Sequence, residues 1–416
     1  MNNLQKILNK TFPLERSLIS SDNRKTLELF NDIVPLKKWK IKTGTKCYDW
    51  TVPKEWIFNK AILKDSNGNI LVDGSKNILN VLNYSNSYKS KISKSELDEH
   101  LFYLKEKPNA IPYVTNYYGD NWGFCLSYNE YKKLTDDTYF VEIDTNFIDS
   151  ELEIGEAIIK GRSNKEIIFS SYLCHPKQAN DGLSGCIMLL DLYNKLKDLD
   201  LKYTYRFFFL PETIGSIALL SQKIIKPNNT EYAGIATCVG YGSEYNYKST
   251  FIGNHPIDNI FKNKDFINIK EFLPIGSDER QFSSPNCRIP TFSLMKSFYE
   301  YYSEYHTSLD NLELISINNI IDCSNIYFDA ILEYEKRITY NLNTKGCEPF
   351  LTKYNLYSES NLPNKPGTSI IIKWVLFYCD GNNSLVDIAR KTGYDISDVD
   401  TCIKHLISKG VIYENE

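Results

Sequence analysis

The chain has 416 residues, 42% hydrophobic and 24% charged, the make-up of a globular protein with room for two or three domains at ~100–200 residues each. A net charge of −4 gives no global field for nucleic acid or anionic membranes. No apolar run reaches the ~20 residues of a membrane span, the first ten residues have no apolar leader core, and the ten scattered cysteines read as reduced thiols, so the expectation is a cytoplasmic protein.

Asp22 or Asn23 caps a predicted helix over Lys25–Ile33, and Pro35 ends it. Lys38–Thr43 alternates like a strand. From 46 to 152, short β-like runs are broken by Asn67-Gly68, Asp73-Gly74 and Gly119-Asp120, which predicts a small inserted β-rich domain. Within it, the run from Asp49 through Trp50 to Trp56 is aromatic and β-branched. Core packing is the plain reading, and a substrate rim is the alternative.

From 153 onward, strands and helices alternate. Strands are expected over Glu153–Lys160, Glu166–Leu173, Tyr203–Leu210, Tyr232–Val239 and Pro290–Met295. Helices are expected from Asp181, over Gly215–Ile224, and over Ile317–Tyr340. Such alternation predicts an α/β fold with a mostly parallel sheet flanked by helices.

Gly346, Pro349, Pro363, Pro366 and Gly367 mark a linker at about 345–365. Beyond it, the stretch starting at Asp380 reads as a turn. Ser384 caps a helix ended by Gly393, Ser397 caps another ended by Gly410, and Val411–Tyr413 reads as a wing strand. The expected division is 1–45 with 153–343 for the α/β domain, 46–152 for the insert, and 344–416 for a winged-helix-like domain. Asp398 and Asp400 open the helix that would read DNA, and the segment has no basic stripe, so nucleic acid is not an expected partner.

Four clusters fall at strand ends or in loops: His175 with Asp181, Glu212, the stretch 276–282, and the stretch 304–310. In parallel sheets the carboxyl ends of strands form the ligand crevice. Singly, each cluster is weak: a strand-end Glu more often caps a helix, and a lone His is more often a hydrogen-bonded core or surface residue. Together they offer imidazole and carboxylate ligands plus a carboxylate to take a proton from water, which is what zinc hydrolysis needs.

In this order the clusters resemble the M28-type zinc aminopeptidases. Ala179-Asn-Asp-Gly-Leu-Ser-Gly185 is similar to the family's Ala-Asn-Asp-x-x-Ser-Gly, Glu212 to the first Glu of its Glu-Glu pair, Ser277-Asp278 with Phe282 to its Ser-Asp-His-x-x-Phe, and Tyr305-His306 with Asp310 to its Tyr-His-Thr-x-x-Asp. More closely, Thr43-Gly44, Trp50 to Trp56, Trp122-Gly-Phe124 and Thr237 to Gly240 resemble the bacterial DUF4910 aminopeptidase-like proteins, with an inserted DUF2172-type β-domain and a C-terminal winged-helix-like unit.

The resemblance implies a metal site with departures. Lys177 stands where the family has the Asp that orients the His, Thr213 where it has a second Glu, and Cys238 where it has an Asp, with Tyr241 and Glu244 nearby. One zinc ion rather than two is therefore expected, held by His175, Asp181 and His306, with Glu212 as the catalytic base. Asp278 or Glu279 is a candidate partner for a substrate amine. Arg280 and Tyr305 complete the candidate substrate-binding set, and Arg280 equally fits a pair with Glu279. The activity implied is zinc-dependent cleavage of an N-terminal aminoacyl or similar amide bond in a peptide or small amide. The alternatives are an amide hydrolase or transferase acting on a modified sugar or other metabolite in surface-polysaccharide biosynthesis, and a non-catalytic metal-containing regulator. A homo-oligomer is compatible with each.

Overall fold

The computed structural model describes residues 3–299, 301–356 and 369–415. The chain forms two compact units, Met1–Ala330 and Ile331–Glu416.

The first unit is built on an eight-stranded sheet in the order Lys37–Lys42, Glu151–Ile159, Thr204–Leu210, Glu166–Tyr172, Thr230–Ile235, Thr291–Met295, Tyr245–Lys248, Ile267–Lys270. The four strands from Thr204–Leu210 to Thr291–Met295 are mutually parallel. Antiparallel partners flank them on both sides. Every residue of Thr204–Leu210 is buried, as expected of a central parallel strand covered on both faces. Helices Ser184–Leu196, Ile214–Ser221 and Ile317–Glu335 belong to the covering layers.

At the N-terminus the helix starts earlier than expected, at Ser21. Ser20 is the cap, because its hydroxyl accepts the N–H of Asn23 at 3.1 Å. The Asn23 amide instead donates to the Leu18 carbonyl at 3.1 Å.

The insert carries a four-stranded antiparallel sheet, ordered Ile70–Asp73, Glu55–Lys64, Thr138–Ile148, Tyr88–Ser93. Its core is continuous with that of the α/β part: Val141, Ile143 and Trp56 share one buried cluster with Phe208, Leu210 and Ile235. A hairpin of Lys46–Cys47 against Trp50–Thr51 stands apart from that sheet.

In the C-terminal unit the sequence reading needs correction. The long helix ends at Glu335, because Thr339–Leu342 leaves to become the middle strand of a three-stranded sheet. The predicted turn at Asp380 is an edge strand of that sheet, Asp380–Ser384. Pairing with a distant strand overrides local turn propensity there. The cap of helix Ile396–Ser408 is Asp395, not Ser397; its carboxylate accepts the Ser397 N–H at 2.8 Å. The compact unit of the structure starts at Ile331. Part of the predicted linker, 357–365, lies outside the described residues.

Asp387 ties the C-terminal unit together. It accepts the Ser384 N–H at 3.0 Å and faces Arg337 Nη2 at 2.7 Å. Burial alone would raise its carboxyl, but Arg337 and Ser384 outweigh burial and hold it below its usual value. The stabilisation is complete above the unfolded Asp value of ~3.9 and is lost as pH falls below it. Asp387→Ala is expected to destabilise this unit by about 2–3 kcal/mol, since it removes the carboxylate that meets Arg337 and accepts the Ser384 N–H and hydroxyl. Hydrogen exchange of the full chain reads this directly. Protection at 331–415 equal to wild type would remove the pair as a stabilising element.

Candidate metal centre

The parallel strands send their carboxyl ends to one edge of the sheet. Glu166–Tyr172 leads to His175, Thr204–Leu210 to Glu212, Thr230–Ile235 to Thr237 and Cys238, and Thr291–Met295 to Ser297. This convergence is set by topology, and it makes the crevice that parallel sheets use for ligands.

The loop after His175 closes in a wide helical turn over Ala179–Leu183, broken at Asp181 and at Gly182 (φ 93°). Gly182 is required: a Cβ there would lie 2.7 Å from the Tyr172 ring and 2.8 Å from the Tyr172 carbonyl. Asp310 holds the turn from the other side. Its carboxylate accepts the N–H groups of Ala179 at 3.1 Å, Asn180 at 2.6 Å and Asp181 at 2.9 Å, plus the Tyr302 hydroxyl at 2.9 Å.

His175, Asp181 and His306 each offer a ligand atom, and these atoms lie within 4.8 Å of one another. His306 Nε2 is 2.8 Å from Asp181 Oδ2. That oxygen is nevertheless buried without an aligned hydrogen-bond donor. The other carboxylate oxygen accepts the Tyr172 hydroxyl, which also contacts Thr237 Oγ1 at 2.7 Å. Burial pushes His175 down to about 4, so its ring is neutral at pH 7. Burial works against ionisation of Asp181, but His175, His306 and Tyr172 prevail and hold it at about 2.

The His306 loop is pinned by the insert. The Tyr113 N–H donates to the His306 carbonyl at 2.8 Å, and the Ser308 N–H donates to the Ile111 carbonyl at 2.8 Å. The Tyr305 ring stacks on His306 with centroids 3.9 Å apart. Tyr113 presents its ring at 5.2 Å to His175 and 5.5 Å to His306. Lys177 takes no part: its Nζ donates to the Pro13 carbonyl at 3.1 Å. Beside His175 Nδ1 stands the Cys174 sulfur at 3.8 Å.

Glu212 sits on a tight three-residue turn. The Ile214 N–H donates to the Glu212 carbonyl at 2.8 Å, and Thr213 is held at φ 65°, ψ −72°. This positive-φ γ-turn is rare and strained, more so for a β-branched residue. Asp278 holds it by accepting the Thr213 N–H at 2.8 Å and the Ser216 hydroxyl at 2.7 Å. The result places Glu212 Oε2 3.8 Å from His175 Nε2. Burial raises the Glu212 carboxyl well above its usual value, and the Asp278 and Asp181 carboxylates add to the shift.

Residues 278–280, from the candidate substrate-binding set, each have partners within the protein. Asp278 is fully buried and occupied by the Thr213 turn. Glu279 pairs with the buried Lys248 at 2.7 Å and accepts the Tyr299 hydroxyl. Arg280 does not pair with Glu279; its Nε donates to the Ser277 carbonyl at 3.1 Å. The three follow one another on a short helical turn, Glu279–Phe282, so they point in different directions.

Cys238 is buried, which pushes its thiol well up, and its sulfur stays 4.0 Å from Asp181 Oδ1. Glu244 is turned away to Asn268 at 2.8 Å. His175 and Glu212 open on a cavity of about 320 Å³ walled by Leu18, Trp50, Tyr117, Tyr118 and Ile214. Trp50 is 40% exposed there, while Trp56 is buried, so the aromatic run of the insert supplies both a rim and a core residue. Sequence reasoning missed Tyr172, Tyr113 and Tyr117. Among 30 tyrosines, nothing in their spacing separates them from packing residues.

Residues 5–337 match the family described as Domain of unknown function (DUF4910), and residues 338–414 match a winged helix-turn-helix family. The chain belongs to the DUF4910 family. The family unit spans the insert and the α/β part together. This DUF4910 protein is 39% identical over 397 residues to a Clostridium acetobutylicum protein named "Putative polysaccharide biosynthesis protein with aminopeptidase-like domain", covering 94% of this chain and 91% of that one. It resembles a crystal structure described as a "putative peptidase" from Clostridium acetobutylicum, with TM-score 0.79 and 36% identity, over 99% of this chain and 96% of that one. A zinc aminopeptidase from Bacillus subtilis superposes with TM-score 0.57 at 12% identity, over 80% of this chain and 93% of its own, and thus shares the fold.

Proposed function

We propose that this protein is a hydrolase that cleaves an N-terminal aminoacyl or similar amide bond, using one zinc ion held by His175, Asp181 and His306 and Glu212 as base. The observation that carries the reading is two imidazoles and one carboxylate within 4.8 Å of one another, beside a cavity that Glu212 lines. Three protein ligands with an open position is the donor set of a catalytic zinc, and Asp181 Oδ2, buried with no aligned hydrogen-bond donor, fits a cation. A bound zinc ion supplies Lewis acidity for the scissile carbonyl and lowers the pKa of its water to about 7.

The chain's own groups do the rest. His175 is neutral and Asp181 ionised at pH 7, the forms a cation requires. Glu212 stands beside the ligands rather than among them. It takes the proton of the attacking water and passes it to the leaving amine. Its raised pKa suits a group that must hold that proton between the two steps. Tyr305 and Tyr113 fix the His306 and His175 rings. The departures at Thr213 and Cys238 support one ion rather than two, and Glu244 is turned away to Asn268. Nucleic acid is outside this reading: Asp395 and Asp398 occupy the start of helix Ile396–Ser408, where a phosphate would dock.

Purified protein is expected to hold about one zinc per chain. His175→Ala is expected to weaken zinc binding by at least about 100-fold. Elemental analysis and competition with a chelator measure both. A folded wild-type protein that takes up no zinc, or a variant that holds it equally well, would sink the reading.

A further inference from the structure

A second concavity, of about 830 Å³, adjoins the metal-site cavity, and Trp50 lines both. Helix Ile214–Ser221 connects them. Ile214 walls the metal side, whereas Ile217 and Leu220 lie along the groove. At ~1.5 Å per residue, the step from Ile214 to Leu220 is about 9 Å. One molecule can therefore occupy both spaces.

The rim of the groove is strained and aromatic. Tyr48 is 68% exposed, at φ 56°, in the tip between Lys46–Cys47 and Trp50–Thr51. Lys223, which also lines the groove, has φ 55° just beyond the helix end. Left-handed backbone is unfavourable for such side chains, and an exposed ring gains no burial in return. Trp50 is propped in place by Tyr118, whose ring meets it edge-on at 5.6 Å and whose hydroxyl donates to the Thr51 carbonyl at 3.0 Å.

The chemistry of the walls selects among ligands. Gln281 and Asn286 bring amide donors and acceptors to the lining, groups that pair with hydroxyls. The exposed faces of Trp50 and Tyr48 suit the C–H face of a sugar ring. Lys223 and Lys226 outnumber Asp49, so the wall is cationic. A peptide would need open apolar pockets for its anchors, but Ile217 and Leu220 are only 4% exposed. We propose that this groove binds an acidic saccharide, the part of the substrate that carries the amide nitrogen.

This proposal rests on the hydrolase reading for its chemistry. Water adds across the amide C–N bond, leaving a carboxylate on the acyl part and an amino group on the sugar.

The test is calorimetric titration of the full-length Glu212→Gln protein with a tetrasaccharide of alternating glucuronate and N-acetylglucosamine. Neutral chitotetraose and tetraglutamate are titrated alongside. The acidic tetrasaccharide is expected to bind best, and Lys223→Glu with Lys226→Glu to weaken it by at least about tenfold. The same double change is expected to leave zinc content at the wild-type level, since both lysines lie outside the metal-site cavity. No binding of the acidic tetrasaccharide, undiminished binding after charge reversal, or equal binding of chitotetraose or tetraglutamate would each overturn the assignment. Binding is read without the base, so it stands or falls separately from the hydrolase reading, whose own failure appears as absent zinc or an inert Glu212→Gln change.

Discussion

Glu212→Gln is expected to lower turnover of an aminoacyl anilide by about 10²–10⁴-fold while zinc content stays at the wild-type level. The substitution is nearly isosteric. The turn that presents the side chain is held by backbone groups: the Glu212 carbonyl accepting from Ile214, and the Glu212 N–H donating to Cys174 at 3.2 Å. Neither depends on the carboxylate. Asp278 still holds Thr213, and the three ligand residues are untouched. What disappears is an oxygen able to carry a proton from water to the leaving amine. The loss should therefore fall on kcat, with KM little changed. Unchanged turnover in a zinc-loaded variant would remove Glu212 as the base. Loss of zinc along with activity would make it a ligand instead.

Asp310→Ala is expected to destabilise the first unit by about 3–5 kcal/mol, because it strips the carboxylate acceptor from the N–H groups of Asn180 and Asp181 and from the Tyr302 hydroxyl, all buried, at ~1–3 kcal/mol for each orphaned donor before water enters, while the Ala179 N–H keeps the Asp310 main-chain carbonyl at 3.0 Å. Asn180 and Asp181 lie in the turn that aims a ligand, so that turn loosens with the fold. Zinc affinity should fall by about 10–100-fold, the range for losing a residue that supports a ligand. Asp310→Asn keeps one acceptor oxygen and should recover part of both. Denaturant titration and chelator competition read the two effects separately. Wild-type stability together with wild-type affinity would show that the carboxylate does not hold the loop.

Much of the architecture was legible because it depends on local pattern. The apolar run Thr204–Leu210 and the alternation of strands with helices predict a parallel sheet, and strand ends in such a sheet meet at one edge. That is why His175, Asp181, Glu212 and His306, far apart in sequence, were expected near one another, and why the structure brings them together. What was not legible has a different origin. Asp278, Glu279 and Arg280 are adjacent in sequence, and adjacency says nothing about which direction each side chain takes. Tertiary contacts decided: Asp278 went to Thr213, Glu279 to Lys248, and Arg280 to the Ser277 carbonyl. The strand at Asp380–Ser384 was misread because a turn-like composition was outweighed by a partner strand found only after folding.

The sequence by itself determined which chemistry is available: two imidazoles, two carboxylates at strand or loop ends, and the departures from the resembled pattern at Lys177, Thr213 and Cys238. Hydrophobic periodicity and residue type carry that information. Only the tertiary structure decided how those groups are aimed. Tyr172 reaches Asp181 from the preceding strand, Tyr113 reaches both histidines from the insert, and Asp310 gathers three N–H groups of a distant loop. It also decided that the hairpin from Lys46 to Thr51 leans Trp50 over the cavity and the groove together. Such contacts join segments far apart in the chain. They arise where packing places the side chains, and no local pattern in the sequence encodes them.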